Sequence, residues 1–200
     1  MKQPTGFSGI GYPGCLCQGD AIEKAHGILI RKTPLTETSL IVHWCTAEHG
    51  IIRTVARGAR RPASPFAGKL DLFYSAELEW VPAKRSDLHT LREVAVTDFR
   101  HGLQATWPRV LCASYFVRLL ESVAEPGTPL ESLHDLLSRG LDYLTTRDPT
   151  RKAVLHFERE LARDLGIHGE PGVSPIAALR PMISRIPDQR ETLLKSLPEL

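Results

Sequence analysis

The hydrophobic pattern of this chain changes period near Trp107-Pro108, from strand-like alternation before it to helical spacing after it. A strand pattern cannot bury its apolar side as a helix, nor the reverse. The chain must therefore fold as a β unit followed by a helical one, an α+β class. Strand candidates are Ala25–Arg31, Leu40–Thr46, Ile51–Arg57, Leu72–Val81 and Leu88–Val96. The second is dense in β-branched and aromatic residues. The turn Glu48-His49-Gly50 joins it to the third, which predicts a hairpin over 39–57. In the fourth, Leu72, Tyr74, Ala76, Leu78 and Trp80 share a face. Pro62 and Pro65 exclude a central strand from the loop that starts at Gly58. Five short strands within residues 21–100 predict a small closed barrel, because closure removes unpaired edges.

Past Pro108, Ala113, Phe116, Val117, Leu120, Val123 and Ala124 recur three or four apart and predict one helix. Leu130, Leu133, Leu136, Leu137, Leu141 and Leu144 predict a second. Asp148-Pro149 reads as an N-cap with proline at the first helical position. It opens a third helix whose apolar stripe is Val154, Phe157, Leu161 and Leu165, with Gly166 as its stop. These helices should pack as a bundle against the barrel. Residues 166–175 read as a linker. Pro181, Pro187 and Pro198 break the tail beyond, which has room for a short helix over 188–197. The division expected is a mobile, Gly/Pro-rich tail over 1–20, the barrel over 21–100 and a helical domain over 101–200.

Composition removes several function classes. The apolar fraction of 42% supports a real core, and a net charge of +2 is unlike a histone-like polycation. No apolar run is long enough to span a bilayer, and no apolar stretch after Lys2 resembles a secretion signal. Cys15 and Cys17 lack the second cysteine pair that a zinc site requires. Cys45 and Cys112 fall in apolar runs and read as buried reduced thiols, which points to an intracellular setting. Signatures for nucleotide phosphates, zinc proteases, serine hydrolases and dinucleotides are all missing. His43 and Cys45 share a strand face without meeting, so a catalytic pair is not expected there. Glu158 and Glu160 read as solvated charges pairing with Arg163 or nearby bases. No cofactor and no metal are expected.

What positive charge the chain has is concentrated. Between Ile51 and Lys69 stand Arg53, Arg57, Arg60, Arg61 and Lys69, with no acidic residue among them. Clustered cations repel one another unless an anion offsets them, so a phosphate backbone is the expected ligand, the alternative being a solvated basic loop with no ligand. On a strand, Arg53, Val55 and Arg57 point the same way. Of the aromatics able to stack on bases, Phe66 is the best placed, because it lies in the basic loop; Trp44 and Trp80 read as core. The alternatives from residues alone are a protein-interaction adaptor docking through its helical face, and an RNA-binding protein, since stacking and phosphate contacts serve both polymers. Tyr115, Phe116, Leu119 and Leu120 beside Arg118 read as core packing, the alternative being a groove offered to a partner peptide.

Several motifs then occur in a familiar order. Glu37-Thr38-Ser39-Leu40-Ile41-Val42 resembles E-T-S-L-I/L-V, and His49-Gly50 stands at an HG turn. Val55-Ala56-Arg57-Gly58-Ala59-Arg60-Arg61 resembles V-A-K/R-G-A-R-R. Ser64 with Gly68-Lys69-Leu70 fits S-x(3)-G-x-L, and Leu91-Arg92-Glu93 fits L-x-E. Tyr115–Glu121 is similar to Y-x-x-E-L-L, with Arg118 in place of the acid. Phe157–Leu161 with Leu165-Gly166 is similar to F-E-x-x-L-L-x-x-L-G, with Ala162 at the second Leu. The ordered set, over about 25–166, resembles the bacterial recombination mediator family RecO. The resemblance implies an N-terminal OB-fold followed by a helical domain. It implies binding to single- and double-stranded DNA, annealing of complementary strands, and help in loading recombinase on strands coated by single-strand-binding protein (SSB). The implied partners are RecR and the acidic C-terminal tail of SSB, and the implied location is the bacterial cytoplasm, at the nucleoid. By motif position Arg57, Arg60, Arg61 and Lys69 carry over as DNA contacts, joined by Arg53 and Phe66 from the residue reading. Tyr115, Phe116, Arg118 and Leu119 carry over as the SSB-tail site. One departure stands out. Many members follow L-G with two C-x-x-C zinc knuckles, whereas here Gly166 is followed by Ile-His-Gly-Glu-Pro-Gly-Val. His168 alone cannot hold a metal, so the knuckle's share of the RecR contact does not carry over.

Overall fold

A computed structural model describes residues 21–125, 127–167, 173–183 and 185–199. The expected tail over 1–20, with Cys15 and Cys17, lies outside the described residues, as does His168. The five strands are β1 (Glu23–Pro34), β2 (Leu40–Thr46), β3 (Gly50–Ala56), β4 (Ser75–Val81) and β5 (Leu88–Asp98). They close in the order β1-β2-β3-β5-β4, with β4 returning to β1. All pairs are antiparallel except β3 with β5. That is the five-stranded Greek-key barrel of the OB-fold. The barrel is filled by Leu29, Val42, Trp44, Ile52, Phe66, Leu78, Trp80, Leu91 and Val94. Both tryptophans expected inside are there, and the Trp44 indole donates to Thr54 Oγ1 at 3.0 Å, so burial leaves no orphaned N–H.

A 3₁₀ turn (His101–Ala105) leads, among the described residues, to the helices α1 (Trp107–Val123), α2 (Glu131–Thr146), α3 (Arg151–Asp164), α4 (Pro175–Leu179) and α5 (Gln189–Ser196). The third helix starts later than its sequence cap predicts. Asp148 is taken by Arg109, whose Nε donates at 2.8 Å, and Thr150 caps instead, its hydroxyl accepting from Ala153 N at 3.1 Å. The stretch read as a proline-broken tail also holds α4, which begins at Pro175, where a missing N–H costs nothing.

Two cores meet at β1. Leu29 points into the barrel, while Ile28 and Ile30 join the helical core with Cys45 and Phe73. One strand thus serves both cores, which is why β1 has four consecutive buried residues, Gly27 to Ile30. The junction is locked by Arg100, whose side chain is 3% exposed. Its Nε donates to Asp142 at 2.8 Å, one terminal nitrogen to Phe73 O at 2.8 Å and Ser75 Oγ at 2.6 Å, and the other to Ser138 Oγ at 3.0 Å. Phe73 and Arg100 are also the two non-glycine residues with positive φ among those described, at 70° and 43°. The guanidinium that bonds Phe73 therefore ties together the two strained positions.

The helical core holds a second buried charge. Glu158 was expected in solvent, yet it is fully buried. It accepts from the Tyr115 hydroxyl at 2.5 Å and from Arg190 at 2.6 and 2.9 Å. The correction has a long-range cause, because Arg190 arrives from α5. Burial, then the Glu158 charge, holds the Tyr115 phenol well above its usual range. Glu160 pairs with Arg163, as expected.

Candidate nucleic-acid interface

Along β3, Ile52, Thr54 and Ala56 face inward while Arg53 and Val55 face out, and Arg57 follows, exposed. Register sets Arg53 beside His43 on β2, and His43 beside Arg31 on β1. This outward row is not free positive charge. Arg53 donates to Asp87 at 2.7 Å, and Arg31 to Glu121 at 2.6 Å. The Arg53 guanidinium in turn holds the Asp87 carboxyl below its usual range. Burial first, then Arg31 and Arg53, push the His43 imidazole below 6.5, so it adds no charge at neutral pH. Arg53, expected as a DNA contact, thus already has an anion, supplied from 34 residues away.

Beyond Arg57 the situation reverses. Arg57, Arg60 and Arg61 are exposed, Lys69 is half-buried, and none of the four forms an ion pair among the described residues. The loop that carries them is a chain of turns. Arg61 N donates to Gly58 O, Ser64 N to Arg61 O, Ala67 N to Ser64 O and Lys69 N to Phe66 O, at 3.0 to 3.1 Å. Gly58, at φ 68°, supplies the left-handed step that leaves β3. Two bonds pin the loop to the β1–β2 turn: Arg60 N to Thr38 O at 3.0 Å and Gly58 N to Ser39 Oγ at 3.3 Å. The E-T-S motif therefore serves here as the seat of the basic loop.

Phe66 holds the same loop from within. Its ring is 6% exposed and packs in the barrel core, so it is not presented for stacking on a base. From the loop that follows β3 the ring joins the barrel core, because burying it there removes apolar surface from water. Phe66, Arg57 and Pro65 line a hollow of about 360 Å³, together with Val81, Thr90, Leu91 and Arg92. Arg92 was not foreseen as a site residue. Only the pairing of β5 with β3 brings it there.

The residues expected to meet the SSB tail divide differently. Tyr115, Phe116 and Leu119 are 0%, 2% and 0% exposed, because α1 is enclosed on nearly all sides. Arg118 alone of that set is exposed, in a separate groove with Lys32 and Glu121 between β1 and α1. The apolar groove of the helical part lies elsewhere, between α2 and α3, with a volume of about 860 Å³. Its floor is Phe116, Leu136 and Phe157, the two rings stacked at 3.8 Å. Its rim carries Arg139, Lys152 and Arg159. Lys152 and Arg159 have no ion pair among the described residues, while Arg139 pairs with Asp135. Gly140 permits the close approach, since a Cβ there would stand 3.2 Å from both rings. The Leu spacing of α2 signals a buried face in the sequence; the cationic rim comes from packing two helices side by side.

The family described as "Recombination protein O N terminal" matches residues 21–100. A DNA repair protein RecO of Nitrosospira multiformis is 31% identical over 144 residues, covering 72% of this chain and 58% of the relative. That of Anaeromyxobacter sp. (strain K) is 31% identical over 144 residues, covering 72% and 57%. That of Thiobacillus denitrificans is 32% identical over 145 residues, covering 71% and 55%. The matched segment thus spans less than two thirds of the length of these relatives. With an OB barrel over the residues the family match covers, and the motif order continuing into the helices, the chain belongs to the RecO family of DNA repair proteins.

Proposed function

We propose that this chain is a non-enzymatic DNA-binding recombination mediator, with residues 21–100 as its DNA-binding domain and the helices as its partner-docking domain. The observation that carries the reading is the set of unpaired cations Arg57, Arg60, Arg61 and Lys69 on a loop fastened to a rigid barrel. Guanidinium groups hold phosphate oxygens through charge-assisted, often bidentate bonds. Release of condensed counterions supplies most of the affinity, so it needs neither ATP nor a metal. Neutralising two strands on one surface lowers the repulsion that opposes their pairing, which is a physical route to annealing.

The groove between α2 and α3 suits the acidic C-terminal tail of SSB better than the buried faces of Tyr115 and Leu119 do. An apolar side chain of the tail enters over Phe116 and Phe157, and its carboxylates meet Lys152 and Arg159. RecR is the further partner, and recombinase loading follows from holding DNA and the SSB tail at once. The same groove favours a second reading, an adaptor that docks a partner without binding DNA.

Fluorescence-anisotropy titration with single- and double-stranded DNA at two salt concentrations separates the two. Salt-sensitive binding of DNA supports the mediator, and an annealing assay then extends it. Absence of binding at low salt, with retention of an acidic tail peptide, supports the adaptor instead.

A further inference from the structure

The hollow at the barrel end brings together two arginines that sequence reading keeps 35 positions apart, Arg57 and Arg92. Their meeting follows from register. β3 and β5 run parallel, with Arg53 opposite Leu88, Thr54 opposite His89 and Val55 opposite Thr90. Beyond these pairs, Arg57 follows the end of β3 and Arg92 stands two residues past Thr90 on β5, and both line the hollow. Neighbouring strands are about 4.8 Å apart, so the two guanidinium groups reach into one space.

A second observation singles out Arg92. On the other side of β5, Glu79 of β4 lies opposite Glu93, but the next residue, Trp80, lies opposite Leu91. Arg92 is thus the extra residue of a β-bulge and has no partner on β4. Both Arg92 and Glu93 are exposed, whereas Leu91 and Val94 on either side are buried, as an inserted residue requires. Bulges re-aim a side chain and recur beside functional sites. Here the bulge turns Arg92 toward the hollow that Arg57 lines. Neither arginine pairs with a carboxylate among the described residues. Arg53, within β3, does have an anion in Asp87. The barrel end therefore holds two adjacent positive charges that no carboxylate among the described residues offsets, above an apolar floor of Phe66 and Leu91 and beside Thr90.

We infer that Arg57 and Arg92 together clamp a single backbone phosphate of a nucleic-acid strand in this hollow, at the end of the track formed by Arg60, Arg61 and Lys69. The inference rests on the DNA-binding reading above and adds to it a defined phosphate subsite and a contact residue on β5. An apolar floor with two guanidinium groups over it suits a monoanion flanked by a sugar. One phosphate offers enough oxygens for both forks.

The test uses the full chain and a fluorescent oligothymidylate, with Arg57→Gln, Arg92→Gln and the double variant titrated across a salt series. Each single change should weaken binding roughly tenfold, the size of one charge-assisted contact. The double variant should lose about 0.7 of the log–log salt slope, because a single strand forfeits about that much per phosphate released. Arg92→Lys should keep the parent slope with reduced affinity, since an ammonium keeps the charge and loses the fork. A loss of about 1.4 in the double variant would mean two separate phosphates and overturn the clamp. Unchanged affinity in Arg92→Gln, with Arg57→Gln weakened, would remove the subsite and leave the DNA-binding reading standing. No binding by the unaltered protein would remove both. Both side chains are exposed, so unchanged circular dichroism is expected of every variant.

Discussion

Reversing two charges of the basic loop, Arg57→Glu with Arg61→Glu, tests the proposed function most directly, and the structure sets its size. Arg57, Arg60, Arg61, Lys69 and Arg92 at the barrel end lack a carboxylate partner among the described residues. With Arg57 and Arg92 on one phosphate, they engage four. A single strand should then bind with a log–log salt slope of roughly −2.8, so a fourfold rise in salt weakens it roughly 50-fold. The double reversal gives up the Arg61 phosphate and spoils the clamp, which leaves Arg60 and Lys69. The slope should fall to roughly −1.4, and the same rise in salt should cost only about sevenfold. At low salt the affinity itself should drop on the order of 100-fold, taking the lower end of the range for charged hydrogen bonds because the site is exposed. Arg53→Gln is the internal control. Its charge is already offset by Asp87, so it should change binding far less than either reversal. Anisotropy titration over a salt series reads all of these values. A double reversal that keeps the parent slope, or an Arg53 variant as damaging as the pair, would refute the assignment of binding to unpaired cations.

Further expectations concern the frame that holds the site. Glu158→Ala should destabilise the helical part by about 3–5 kcal/mol, because it strands Arg190 and the Tyr115 hydroxyl without their acceptor; urea unfolding measures this. Gly50→Ala should cost at least ~1 kcal/mol by the same assay, since φ is +69° and the new Cβ would lie 2.3 Å from Thr128 O. His134, on α2, meets His26 of β1 edge to face, and burial, then His26, lowers its pKa below 6.5 in the folded protein. The unfolded chain therefore binds the extra proton, so stability should fall as pH drops through 6.5 and below, and His134→Gln should flatten that part of the pH–stability curve. Burial raises the Cys45 thiol to about 12 and raises Cys112 as well. Both should resist thiol reagents until urea unfolds the chain.

Much of this protein is legible from neighbouring residues alone. Alternation along Leu72–Trp80 and the β-branched run at Leu40–Thr46 predict strands, and three-and-four spacing after Pro108 predicts helices, because each pattern reflects which side of a local element can be dry. The placement of Trp44 and Trp80 inside follows from the same alternation. The basic loop is equally visible, since Arg57, Arg60 and Arg61 are close in sequence and no acid stands between them.

What escaped depends on residues far apart in the chain. Arg53 looks as free as Arg57 until closure of the barrel carries Asp87 to it. Phe66 looks available for stacking until the barrel core draws it in. Tyr115 and Leu119 look like one face of a two-faced helix until packing encloses α1. Glu158 looks solvated until α5 delivers Arg190. Arg92 becomes a site residue only because β5 pairs in parallel with β3 and bulges against β4. Local periodicity and charge density are sums over adjacent residues, so the main elements, their order and the place where charge accumulates can be read along the chain. Which charges are already paired and which are open to a ligand emerges from the folded barrel and bundle, because Coulomb pairing and desolvation act through space.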